Sequence, residues 1–199
     1  MLTRRRFVQL GSISFAGSMA LTGQGFASAL TLPSLRRVTL QLPDLPPAWD
    51  GLRILQISDV HAGPYMTVER MRRVRDLVAG VPADMIVFTG DQVDRRPDDA
   101  ELFAEGFAGI DAPLGAWGIL GNHDHYVDPH LSERALTGAG ITPLVNGSVE
   151  LVRGGQRLAL VGVEDLSAGG DRSPDFAELD RHAGAFRICL CHQPQGWAQ

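Results

Sequence analysis

The sequence predicts an α/β fold with a βαβαβ core. Three observations predict it. Apolar, strand-like runs alternate with segments of helical period between Leu52 and Leu120. Each of those runs ends in a cluster of polar side chains, where open α/β sheets bind ligands. The clusters also recur at the length of one βαβ unit. Asp59 and Asp91 are 32 residues apart, and Asp91 and Asn122 are 31 apart.

The elements follow in chain order. Val38 to Leu42 alternates like a half-exposed strand and stops at Pro43, and Pro43 to Gly51 reads as a loop. Leu52 to Ile57 is a core strand. Val68, Met71, Val74, Leu77 and Val78 recur at helical spacing, which predicts a helix over Thr67 to Ala79 with Thr67 as its cap. Met85 to Thr89 is apolar throughout, as in a strand buried on both faces. Pro97 to Ile110 is a second helix and Trp117 to Leu120 a third strand. The alternation implies parallel strands joined by right-handed crossovers. Pro129 to Ala139 reads as helix. Glu150 to Val152 and Arg157 to Val163 flank Gly154-Gly155 as a hairpin. Ser173 to His182 reads as helix, capped by Ser173 with Pro174 at its first position. Phe186 to Leu190 is a last strand.

Composition bounds the class. The chain has 199 residues, 44% hydrophobic and 21% charged, which is enough for one globular domain. The N-terminal residues stand apart. Arg4-Arg5-Arg6 precedes a mildly apolar, uncharged stretch over residues 7–22, and Ala27-Ser28-Ala29 is an A-x-A cleavage signature. Residues 1–29 therefore read as a twin-arginine export signal cut after Ala29. A membrane anchor is the alternative, but it calls for about 20 strongly apolar residues. The signal makes the Tat translocase a partner and places the mature chain in the periplasm or outside the cell. A retained signal would give peripheral membrane association. Residues 30–50 are expected to form an N-terminal strand and linker, and residues 51–199 the main domain. Removing three signal arginines takes the net charge from −5 to −8, which argues against a nucleic-acid-binding surface. Cys189 and Cys191 fall on one face of a strand, with Cα atoms about 6.6 Å apart, at the edge of disulfide reach. A strained bridge, a thiolate pair on a metal and two buried free thiols all fit that spacing.

The polar clusters carry the chemistry. Asp59-Val60-His61 follows the first core strand, Gly90-Asp91-Gln92-Val93-Asp94 the second, Gly121-Asn122-His123-Asp124 the third, and Cys191-His192-Gln193-Pro194 the last. Mixed carboxylate, amide and imidazole donors suit divalent Mn, Fe or Zn. Five such residues can hold two ions when one carboxylate bridges, and such a pair clamps a phosphoryl group. A single strand-end Asp is usually a cap or turn residue, which covers Asp94, Asp128 and Asp165. His130 and His182 read as ordinary surface or core histidines. Gly90 and Gly121 read as turns that let backbone approach the site.

DxH, GDxxD, GNHD and a later His, in this order, resemble the calcineurin-like metallophosphoesterases over about residues 50–192. The resemblance implies that family's sandwich of sheets flanked by helices. It implies two divalent metal ions, with Asp59 and His61 on the first, Asp91 bridging, and Asn122 and His192 on the second. It implies His123 as the acid for the leaving oxygen and Asp124 as the carboxylate that orients its imidazole. His125 and Tyr126 flank the site as candidate substrate contacts. The implied reaction is hydrolysis of a phosphoester, a phosphodiester foremost, by a metal-bridged hydroxide. Export suggests lipid-linked, nucleotide or cell-envelope substrates. The family pattern closes with a GHxH motif that does not occur in this sequence. The domain is therefore expected to be incomplete at its C-terminus, through a truncated reading frame, with a second chain that completes the site as the alternative. An apolar sheet surface would then be exposed. The alternative functions are a non-catalytic metal-binding module and an inactive fragment.

Overall fold

A computed structural model describes residues 31 and 33–195. The expected export signal lies outside the described residues. The first compact unit ends at Leu35, and its few described residues are exposed. The second unit begins at Arg36 and carries the described helices and strands. No helix among the described residues is long and apolar enough to cross a membrane.

The first sheet is parallel. It contains β1 (Ile54–Ile57), β2 (Met85–Thr89), β3 (Ala116–Ile119) and the short β4 (Thr142–Pro143), in that spatial order. Helices connect the strands: α1 (Val68–Ala79), α2 (Asp99–Phe107), α3 (Asn122–Val127) and α4 (Pro129–Ala139). The second sheet contains β5 (Gly147–Arg153), β6 (Gln156–Gly162) and β7 (Phe186–Leu190). β5 and β6 form an antiparallel hairpin, and β7 runs parallel to β6.

Strand β2 shows why the architecture is a sandwich. All five of its residues are buried, because the two faces of the pleat meet different layers. Ile86 and Phe88 face the helices, in a cluster with Met71, Val74, Phe103, Phe107 and Leu136. Met85 and Val87 face the second sheet, with Ile119, Leu144, Leu160 and Leu190. The rings of Phe88, Phe103 and Phe107 pack with centroids 5.1–5.7 Å apart.

Local chemistry sets the ends of the elements. Thr67 caps α1 by accepting from the Arg70 amide. Asp128 caps α4 by accepting from His130 and Leu131, the capping role expected for it. The β5–β6 turn places Gly154 and Gly155 at φ +57° and +75°, the pair of positive values a two-residue hairpin requires. Trp49 is fully buried, and its indole donates to the Gln156 carbonyl at 3.1 Å, which pins the linker to the hairpin.

Two expected elements differ. Residues 38–42 form no strand and are exposed, because alternation supplies a face but no hydrogen-bonding partner. The helix expected over Ser173 to His182 is replaced by short 3-10 segments, Gly170–Arg172 and Phe176–His182, with Asp175 as the cap of the second. Asn146 causes this. Its amide donates to the Ser173 carbonyl and its oxygen accepts from the Asp175 amide, which holds that backbone extended. The thiols of Cys189 and Cys191 are free and half-buried. Burial pushes Cys189 up to about 11 and Cys191 above its usual value, so neither offers a ready thiolate.

Candidate metal centre

Strands β1, β2 and β3 and, on the second sheet, β7 deliver their polar clusters to one place. Asp91 is at its middle. Its carboxylate is almost fully buried, with one oxygen 3.5 Å from His61 Nε2 and the other 3.6 Å from His192 Nε2. Asp59 Oδ1 lies 4.0 Å from His61 Nε2, and Asn122 Oδ1 lies 3.2 Å from His192 Nε2. The five residues read as metal ligands thus meet around one buried carboxylate.

The backbone is bent to achieve this. Asp59, His61 and Asp91 have φ of +55°, +47° and +56°, and Asn146 is the remaining non-glycine residue described with positive φ. Such conformations cost about 1–3 kcal/mol each and persist where surrounding structure over-determines them. Here the turns are locked by amide bonds between strand ends. Asp59 donates to the Gly90 carbonyl at 3.1 Å, His61 to that of Asp91 at 3.0 Å and Ala62 to that of Gln92 at 2.9 Å. Gly121 leaves the space. A Cβ there would stand 2.3 Å from Asp91 Oδ1 and 2.9 Å from His192 Cε1.

The donor set fits a divalent cation. His192 Nδ1 lies 2.8 Å from the Thr89 carbonyl oxygen. A carbonyl only accepts, so Nδ1 carries the proton and Nε2 keeps its lone pair, aimed at Asp91 and Asn122. Asp59, Asp91 and His192 offer ligand atoms all within 4.8 Å of one another, and so do His61, Asp94 and His123. Oxygen and imidazole donors of this kind suit Mn, Fe or Zn.

His123 sits over this group. Its ring meets that of His61 edge-on with centroids 4.5 Å apart, and its amide donates to Asp91 Oδ1 at 2.9 Å. Its Nδ1 lies 2.7 Å from the Asp94 carbonyl oxygen, so Nδ1 is the donor and Nε2 the free nitrogen. Asp94 therefore orients His123, where the sequence suggests Asp124. Asp124 is fully buried. Its carboxylate accepts instead from the amides of Gly121 at 2.9 Å, Gln92 at 3.1 Å and Val93 at 3.3 Å. Desolvation still outweighs these bonds and lifts its pKa to about 6. Tyr126 is exposed, with its ring centroid 5.6 Å from that of His123. His125 Nε2 lies 2.7 Å from Glu164 Oε1.

Three residues at or beside the site lie outside the sequence-based set. Asp94 Oδ1 is 3.9 Å from His61 Nδ1 and 3.8 Å from His123 Nδ1, so it is more than a turn residue. Glu164 and Asp165 are both buried and follow β6 as the other clusters follow their strands, a signal that points to Glu164. Asp165 closes a turn, accepting from the Ser167 amide at 2.8 Å, as expected of it. Arg172 reaches Glu164 from beyond that turn, and nothing in its local sequence marks it.

Residues 52–196 match the family model for the calcineurin-like phosphoesterases. The chain is similar to "Uncharacterized metallophosphoesterase YkuE" of Bacillus subtilis, 29% identical over 97% of this chain and 70% of that one. It is also similar to an uncharacterized metallophosphoesterase of Aquifex aeolicus, 31% identical over 66% of this chain and 49% of that one. The protein named UDP-2,3-diacylglucosamine pyrophosphatase LpxG of Chlamydia muridarum is 35% identical over 47% of this chain and 29% of its own length. The chain thus spans half or less of the second and third. With four strand-end clusters gathered on one buried carboxylate and a family match that runs across all of them, the chain belongs to the calcineurin-like phosphoesterase family.

Proposed function

We propose that this chain is an exported, metal-dependent phosphoesterase that hydrolyses a phosphodiester-type bond. One observation carries the reading. Asp59, His61 and Asp91 all take left-handed backbone, and their side chains converge with Asn122 and His192 on a single point. Proteins keep such strain where function requires the geometry.

Asp59 and His61 would hold one divalent ion, Asn122 and His192 a second, and Asp91 would bridge them. When bound, such ions polarise a phosphoryl group and lower the pKa of bound water. The protein's own contribution is orientation and proton delivery. His123 is held at Nδ1 by the Asp94 carbonyl, which leaves Nε2 for proton transfer; as the imidazolium it would give its Nε2 proton to the leaving oxygen and return to the neutral Nδ1–H form. Asp124 ties the Asp91–Val93 turn to the start of α3, and so fixes Asp91 against Asn122 and His123. Tyr126 and His125 would border the substrate. The diacylglucosamine nucleotide in the chlamydial relative's name supports a lipid-linked phosphoester as the substrate class. Arg4-Arg5-Arg6 and Ala27-Ser28-Ala29 support Tat export, to the periplasm or beyond, and a retained signal would keep the chain at the membrane.

The test is hydrolysis of bis-p-nitrophenyl phosphate by the Mn-loaded chain, with and without Asp91→Ala. Loss of outer partners of metal ligands costs about 10–100-fold, so loss of the bridging carboxylate itself should cost more than about 100-fold. Far-UV circular dichroism should stay that of the wild type. Activity that survives Asp91→Ala would exclude the bridged-metal mechanism. A folded wild type with no turnover would point instead to a non-catalytic module.

A further inference from the structure

We propose that Glu164 is a positioning residue that fixes the His125 imidazole as a substrate contact at this centre; the proposal rests on the phosphoesterase reading. Glu164 is almost fully buried at the end of β6. Its amide donates to Asn146 Oδ1 at 3.0 Å, which sets the direction of the side chain. Oε1 lies 2.7 Å from His125 Nε2, and Oε2 lies 2.9 Å from the Arg172 guanidinium. Arg172 also pairs with Glu133 on α4. A buried carboxylate persists when it is paired, and Arg172 supplies the pairing.

A carboxylate only accepts, so His125 donates from Nε2. That fixes the tautomer and restrains the ring. Nε2 is occupied by Glu164, so a substrate contact by His125 would be made through Nδ1. His125 lies three residues after Asn122 on α3, hence on the same side of that helix as a proposed metal ligand. His125 belongs to neither group of side chains whose ligand atoms converge, so it is placed beside the ligands rather than among them. Its effect belongs to substrate binding, with the cost of ordering already met by Glu164.

The experiment is steady-state hydrolysis of bis-p-nitrophenyl phosphate by the full Mn-loaded chain. The variants are Glu164→Ala, Glu164→Asp, Glu164→Gln, His125→Ala and the Glu164→Ala/His125→Ala double variant. Histidine 15N NMR on the metal-free protein reports the tautomer independently. Glu164→Ala should raise KM about tenfold and change kcat by less than about twofold, the worth of one charge-assisted hydrogen bond. Glu164→Asp keeps the charge that Arg172 needs but withdraws the oxygen from His125, so it should raise KM likewise, and it serves if Glu164→Ala does not fold. Glu164→Gln still accepts through its carbonyl and should recover most of the loss. The double variant should be no worse than His125→Ala. Effects that multiply, or a fall in kcat at unchanged KM, overturn the proposal. If the wild type shows no turnover, the phosphoesterase reading fails and NMR decides alone. His125 should then carry its proton on Nε2 in the wild type and in Glu164→Gln, and become a mixture in Glu164→Asp. An unchanged tautomer in Glu164→Asp overturns the positioning role.

Discussion

Asp124 shows how one residue can be chosen for its backbone contacts and still be costly. It joins the amides of Gly121, Gln92 and Val93. Burial nonetheless raises its pKa from 3.8 to about 6. Between those values the folded protein holds the proton more tightly than the unfolded chain. Stability therefore falls as pH rises through that window, and stays at the lower level above it. In chelator-treated protein, urea unfolding of the wild type should lose about 2 kcal/mol relative to Asp124→Asn between pH 4 and pH 6. A parallel pH dependence in the two proteins would mean that Asp124 does not titrate there. The same residue marks a limit of reading from sequence. The family resemblance of GNHD implies Asp124 as the carboxylate that orients His123. On α3 the two side chains leave in different directions, and the carbonyl that orients His123 comes from Asp94, 29 residues away. Strand-end position identifies the residues that converge; which of them touch is decided by turns that propensity does not describe.

At the scale of elements, a β-hairpin and a failed helix make the contrast. The β5–β6 turn depends on positive φ at Gly154 and Gly155, and no other atoms crowd the Cβ position of Gly155. Gly155→Ala should therefore cost only backbone strain, about 1–2 kcal/mol, and Gly155→Asn less, both measured as shifts in thermal midpoint. A larger loss for alanine would show a contact rather than strain. This turn is legible because its chemistry is local. So are β2, α1 and α4, whose period, burial and caps agree with the sequence. Ser173 to His182 is not, because the side chain of Asn146, 27 residues before Ser173, captures the backbone that a helix would need. Residues 38–42 fail for the complementary reason: their alternation is right, but a strand is defined by its neighbour.

At the scale of the whole molecule, β2 belongs to two cores at once. Met85 is fully buried toward the second sheet, and Phe88 nearly so toward the helices. Met85→Ala should cost about 2–5 kcal/mol and Phe88→Ala about 3–5 kcal/mol. Each should leave a single urea transition, with near- and far-UV dichroism coincident. Separate midpoints would mean that the layers unfold independently. The His192–Thr89 hydrogen bond has a bearing on the same question. It joins the loop after β7 on one sheet to the last residue of β2 on the other. A ligand seated between Asp91 and His192 would therefore act as a rivet through both layers. Its free energy of binding would add directly to the cohesion of the sandwich.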